Sequence, residues 1–182
     1  MASSLTIDEL LARNKAKLHS HQPIPTLEEL KAMMGGSIPP QLMVVSCADP
    51  RCIPENFLDL HTGEAIVLRN PGGNLEIGLP SVLAFDVLFG LSEIIVVKHT
   101  DCGTQKYTTE GVKSVLRERA PSEEEEIQAI NFGSIAGKTL EEGLKEQVEA
   151  VRASELVRAD LKTKIRGFIY DLESGALNEV EL

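Results

Sequence analysis

Two short segments of this 182-residue chain hold residue types suited to one chemistry: Cys47-Ala-Asp-Pro-Arg51 and His99-Thr-Asp-Cys102. Thiolate, imidazole and thiolate form a donor set that zinc prefers, and three protein ligands leave a fourth tetrahedral position for water or substrate. Cys47, His99 and Cys102 are therefore the candidate ligands of one Zn2+ per chain, in a pattern that suits a catalytic rather than a structural ion. Taken singly, each cysteine would read as a small buried hydrophobe and the histidine as a hydrogen-bonded core residue. Their joint placement, directly after strand-like runs, is what points to a metal.

Asp49 and Arg51 lie two and four residues beyond Cys47, so a continued strand direction would turn all three to one side. Pro50 biases Asp49 toward an extended backbone. A paired Asp and Arg would keep the carboxylate ionised and off the metal, as an acceptor for metal-bound water. Released by Arg51, Asp49 becomes a possible fourth ligand that closes the site. Both are candidate catalytic residues, with an ordinary surface ion pair as the plainer alternative. Arg69-Asn-Pro-Gly-Gly-Asn74 follows another strand-like run. Gly72 and Gly73 permit close approach of backbone N–H groups to a ligand and are candidate substrate-binding positions, although Asn-Pro-Gly-Gly is also an ordinary turn. Cys52 reads as a buried thiol outside the set, and His19, His21 and His61 lack ligand-like spacing to the motif cysteines.

The surrounding sequence supplies elements able to position these groups. Gln41–Cys47, Glu64–Arg69, Glu93–Lys98 and Lys164–Asp171 read as strands, the first and third almost continuously apolar, as strands covered on both faces should be. Capping boxes pair Thr6 with Glu9 and Thr26 with Glu29, starting two N-terminal helices, the second ending near Gly35-Gly36. Further helices are expected over Pro54–Leu60, Pro80–Gly90, Thr109–Ala120, Glu123–Ile130 and Thr139–Leu161. Alternating strands and helices imply an α/β fold with a mostly parallel central sheet, whose carboxyl strand ends open into a shared crevice. Cys47 and His99 stand at two such ends. The expectation is a single domain over residues 1–182 with an N-terminal helical arm to about residue 35.

Composition narrows the partners. Eighteen Lys and Arg against 28 Asp and Glu give a formal charge of −10, which repels nucleic-acid backbones and anionic lipid. No apolar run reaches the roughly 18 residues of a membrane helix, and no basic and apolar leader opens the chain, so the expected location is cytoplasmic. Three cysteines cannot all pair within the chain, which suits ligands better than bridges.

In order and spacing, Cys-x-Asp-x-Arg at 47–51, Arg-Asn-x-Gly-Gly at 69–73 and His-x-x-Cys-Gly at 99–103 resemble the β-class carbonic anhydrases, in their small single-domain branch. The likeness runs from about Asn14 to Leu177 and includes Gly167-Phe-Ile-Tyr-Asp171. Carried over to this numbering, it implies Cys47, His99 and Cys102 as zinc ligands, Asp49 with Arg51 as a catalytic dyad, and a homodimer or homotetramer. It also implies hydration of CO2 to bicarbonate by water whose pKa the metal lowers to about 7. The chain departs from the family pattern at Pro50, commonly serine, and Pro71, usually alanine. The same branch is similar to carbonyl sulfide hydrolases, which would use the same site on COS. A zinc-stabilised interaction protein would normally recruit a fourth ligand and has no use for the dyad, and a thiol redox protein would carry Cys-x-x-Cys.

Overall fold

The computed structural model describes residues 5–33, 35–36 and 41–182. The chain divides into two compact units, Met1–Ser37 and Ile38–Leu182. In the first, helix α1 (Ile7–Lys17) starts at the expected capping box: Glu9 N–H donates to Thr6 Oγ1 at 3.2 Å, and Thr6 N–H donates to Glu9 Oε2 at 2.7 Å. The same exchange between Thr26 and Glu29 precedes α2 (Leu27–Met33). Each box satisfies amide groups that a helix start leaves without partners.

The second unit is built on a five-stranded sheet of order β2-β1-β3-β4-β5. The strands are β1 (Leu42–Cys47), β2 (Ile66–Asn70), β3 (Glu93–His99), β4 (Ile165–Tyr170) and β5 (Leu177–Val180). The first four in the order run parallel, and β5 pairs antiparallel to β4. Val44 and Val45, like Val96 and Val97, are fully buried although neighbours along a strand face opposite sides. Both faces of β1 and β3 are therefore covered, which explains their unbroken apolar sequence. Helix α4 (Leu79–Phe89) supplies Val82 to the core, and α7 (Leu140–Ala153) supplies Leu144, Val148 and Val151.

Three expectations change in detail. The helix expected over Thr139–Leu161 breaks where Ser154 turns extended at ψ 126°, and resumes as α8 (Ala159–Lys162). The helix expected over Pro54–Leu60 is the single turn α3 (Pro54–Phe57), because Asp59 takes the left-handed conformation at φ 51°. Strand β5 was absent from the expected elements: four residues with mixed exposure give too short a pattern to stand out. Among the described residues no helix is long and apolar enough to cross a membrane. Remaining helices are α5 (Thr109–Arg119) and α6 (Glu124–Ala129).

Candidate metal centre

Because β1 and β3 are parallel neighbours, their carboxyl ends lie side by side, and each ends on a candidate ligand, Cys47 and His99. Past His99 the chain is pinned to β4, with Thr100 N–H donating to the Tyr170 carbonyl at 3.1 Å. Asp101 then adopts φ 53° and the turn brings Cys102 back. One donor atom from each of Cys47, His99 and Cys102 lies within 4.8 Å of the others, and all three residues are buried. The two sulfurs are 3.9 Å apart.

The histidine is oriented for a ligand role. Its Nδ1 lies 2.9 Å from the Thr100 carbonyl. A carbonyl only accepts, so the ring proton sits on Nδ1 and the lone pair on Nε2. Among the described residues His99 Nε2 is a buried side-chain nitrogen with no hydrogen-bond partner. Buried polar atoms are rarely left so, and a metal in contact with Nε2 and both sulfurs would satisfy it. Donor types, clustering and the orphaned nitrogen together fit zinc.

Backbone and hydroxyl groups are arranged around the sulfurs. Hydrogen bonding from the Cys47 thiol pulls Cys102 far below an ordinary thiol pKa and holds Cys47 correspondingly high. Thr104 Oγ1, 3.1 Å from the Cys102 sulfur, adds to the lowering. The Asp49 N–H points to the Cys47 sulfur at 3.4 Å, and both it and the nearby Gly72 backbone act to lower the Cys47 pKa against the opposing effects of Cys102 and burial. Gly72 and Gly73, the candidate substrate-binding positions, are both buried and lie in a turn closed by Asn70, whose side chain accepts from Asn74 N–H at 2.6 Å and donates to Asn74 O at 2.9 Å. Gly73 has φ 55°, and a Cβ there would stand 2.6 Å from the Val97 carbonyl oxygen. The turn is thus packed between β1 and β3 behind Cys47.

Asp49 and Arg51 meet through a turn rather than by strand alternation, since β1 ends at Cys47 and Cys52 N–H returns to the Asp49 carbonyl at 3.0 Å. Arg51 donates its backbone N–H and Nε to Asp49 Oδ1 at 2.9 and 3.0 Å, and Nη2 to Oδ2 at 2.8 Å. The guanidinium holds the Asp49 carboxyl well below the usual carboxylate range. Asp49 Oδ2 is 3.9 Å from His99 Nε2, next to the ligand cluster. Arg69 secures the turn from β2, with Nε donating to Cys47 O at 3.1 Å and Nη2 to Asp49 O at 2.7 Å.

Several neighbours had no role in the sequence reading. Lys98 is 1% exposed, with Nζ donating to Gly72 O at 2.9 Å and Gln147 Oε1 at 2.8 Å, and burial lowers its pKa to about 8. Its signal was legible: a lysine directly before His99 in an apolar strand. Thr104 gave none, because nothing local marks a hydroxyl as facing sulfur. Phe57 and Tyr170 stack with centroids 4.3 Å apart and pack against the cluster of Cys47, Cys52 and Cys102. Cys52 is buried, 3.3 Å from Ser46 Oγ, and stands outside the donor group. A cleft of about 640 Å³ lined by Arg51, Asp101 and Tyr170 opens at these strand ends.

Comparison with known proteins agrees with this geometry. The family model described as carbonic anhydrase matches residues 42–177. Beta-carbonic anhydrase 1 of Mycobacterium tuberculosis is 31% identical over 146 residues, covering 76% of this chain and 81% of that protein. The carbon disulfide hydrolase of Acidianus sp. (strain A1-3) is 30% identical over 158 residues, 76% of each. Among solved structures, the carbonic anhydrase of Streptococcus mutans superposes with a TM-score of 0.76 at 27% identity, covering 100% of both chains. The family match over most of the chain, the curated relative and the shared mostly parallel sheet together show that the chain belongs to the β-carbonic anhydrase family.

Proposed function

We propose that this protein is a zinc enzyme that hydrates CO2 to bicarbonate, with Cys47, His99 and Cys102 holding one Zn2+. The observation that carries the reading is the buried Nε2 of His99, without a hydrogen-bond partner among the described residues, 3.9 Å from an arginine-held carboxylate, on a histidine whose donor atom lies within 4.8 Å of two cysteine sulfurs. Zinc, when bound, supplies the Lewis acidity that makes water a nucleophile near neutral pH. Asp49, kept ionised by Arg51, accepts a hydrogen bond through Oδ2 and so orients the attacking water. Its other oxygen stays with the Arg51 backbone N–H and Nε. The Asp49 N–H and the Gly72 backbone stabilise the Cys47 thiolate, and Thr104 stabilises Cys102. The working form in this reading is a cytoplasmic homodimer or homotetramer.

A second reading is favoured by the Acidianus carbon disulfide hydrolase relative: hydrolysis of a sulfur analogue of CO2. The same nucleophile would attack the central carbon of COS, giving CO2 and hydrogen sulfide. One preparation assayed in parallel by stopped-flow CO2 hydration and by sulfide release from COS and carbon disulfide decides between them. In Cys47→Ser and His99→Ala, metal analysis should show most zinc gone together with turnover. Full zinc occupancy in both variants would overturn the site.

A further inference from the structure

The Asp in His99-Thr-Asp-Cys102 has no part in the ligand set or the dyad, yet it is bound to the dyad. Arg51 Nη1 donates to Asp101 Oδ2 at 3.0 Å, and Arg51 Nη2 donates to the Asp101 carbonyl at 3.2 Å. Asp49 takes the Nε and Nη2 edge of the same guanidinium. The two aspartates therefore grip different edges of one planar group and do not compete for a donor edge. Asp101 is itself held, by Lys106 Nζ on its other carboxylate oxygen and by a left-handed backbone at φ 53°. Only Asp59 shares positive φ among the described non-glycine residues, and such strain persists where surroundings enforce it. The Arg51 side chain is 50% exposed, so packing does little to fix it. Its direction rests on these two aspartates.

We propose that Asp101 is a positioning residue: by clamping the outer edge of Arg51 it keeps the guanidinium aimed at Asp49, and so keeps Asp49 off the metal's open position. This rests on the zinc reading above and names a regulator of that site. Without the Asp101 carboxylate the guanidinium is free to turn toward solvent, Asp49 keeps only the Arg51 backbone N–H, and the carboxylate can enter the coordination sphere.

The test uses Asp101→Gly, which removes the carboxylate arm of the clamp and leaves only the backbone carbonyl contact while suiting the left-handed backbone, and Asp101→Asn, which tolerates that backbone and keeps one acceptor for Nη1. In cobalt-substituted protein at neutral pH, Asp101→Gly should shift the visible absorption in the same direction as Arg51→Ala, and lower kcat/KM about tenfold, the scale of one charge-assisted hydrogen bond. Asp101→Asn should restore most of both. In the metal-free protein the Arg51 Nε–H, bonded to Asp49 Oδ1, should exchange with water about tenfold faster in Asp101→Gly than in wild type, as read by NMR. That readout stands even if the wild type binds no metal, an outcome that would sink the zinc reading alone. Unchanged Nε–H exchange in Asp101→Gly overturns the clamp. So does a wild-type cobalt spectrum in Asp101→Gly where Arg51→Ala shifts, or an equal shift in the Gly and Asn variants.

Discussion

Replacing Gly73 by alanine tests whether the glycine turn serves the fold behind Cys47 or meets substrate. Two costs add. The residue sits at φ 55°, where an L side chain costs about 1–2 kcal/mol. The new methyl would lie 2.6 Å from Val97 O and 3.0 Å from the Ser46 carbonyl carbon, both backbone atoms of central strands that cannot swing aside, an overpacking worth about 1–3 kcal/mol. The expected loss is therefore about 2–5 kcal/mol. A mid-range loss of about 3 kcal/mol would lower Tm by roughly 6–12 °C for a chain of this size. Gly90→Ala is the control: Gly90 has φ 67° and nothing within 4 Å of its added Cβ, so only the conformational cost of about 1–2 kcal/mol remains. Urea unfolding followed by far-ultraviolet circular dichroism, with the m-value checked for constancy, gives both numbers. If Gly73→Ala costs no more than Gly90→Ala, the close-approach reasoning fails. A raised KM at unchanged stability would instead place Gly73 against substrate.

Two further outcomes follow from the same geometry. Asp49→Ala should retain zinc and lose about 10²-fold or more in turnover, the scale of a positioned proton acceptor; normal turnover in the zinc-replete variant would remove Asp49 from the chemistry. Lys98 has a folded-state pKa of about 8 against an ordinary 10.5, because burial disfavours its charged form. Between those values the unfolded chain holds the proton and the folded chain does not, so its contribution to stability rises with pH over that window, by up to about 3 kcal/mol. Unfolding of metal-free wild type against Lys98→Met from pH 7 to 11 should show that relative gain, and a constant difference would mean Lys98 keeps its proton.

The parts of this protein legible in its sequence are the ones with local causes. Apolar runs of strand length located β1 and β3, and the residue ending each run named Cys47 and His99. Paired Thr and Glu three apart marked the starts of α1 and α2, because the capping exchange spans a single turn. The short β5 and the break at Ser154 escaped, since their conformations answer to neighbours distant in sequence. The Asp49–Arg51 pair was anticipated for a different reason from the one observed: strand alternation would have needed β1 to continue, whereas a turn around Pro50, held by Arg69 from β2, makes the contact.

Sequence by itself determined the donor types, their order and the strands that carry them. Only the tertiary structure decided that they meet. The separation of 55 positions between Cys47 and Cys102 is bridged because β1 and β3 pair directly, and that adjacency depends on how the whole sheet buries its apolar faces. Through the same packing Lys98 is enclosed behind the donor cluster, Gly73 is wedged between two strands, and the Asp101 carboxylate reaches the free edge of Arg51. Periodicity and turn chemistry are written in neighbouring residues, whereas burial and contact across strands arise only when distant segments exclude water together.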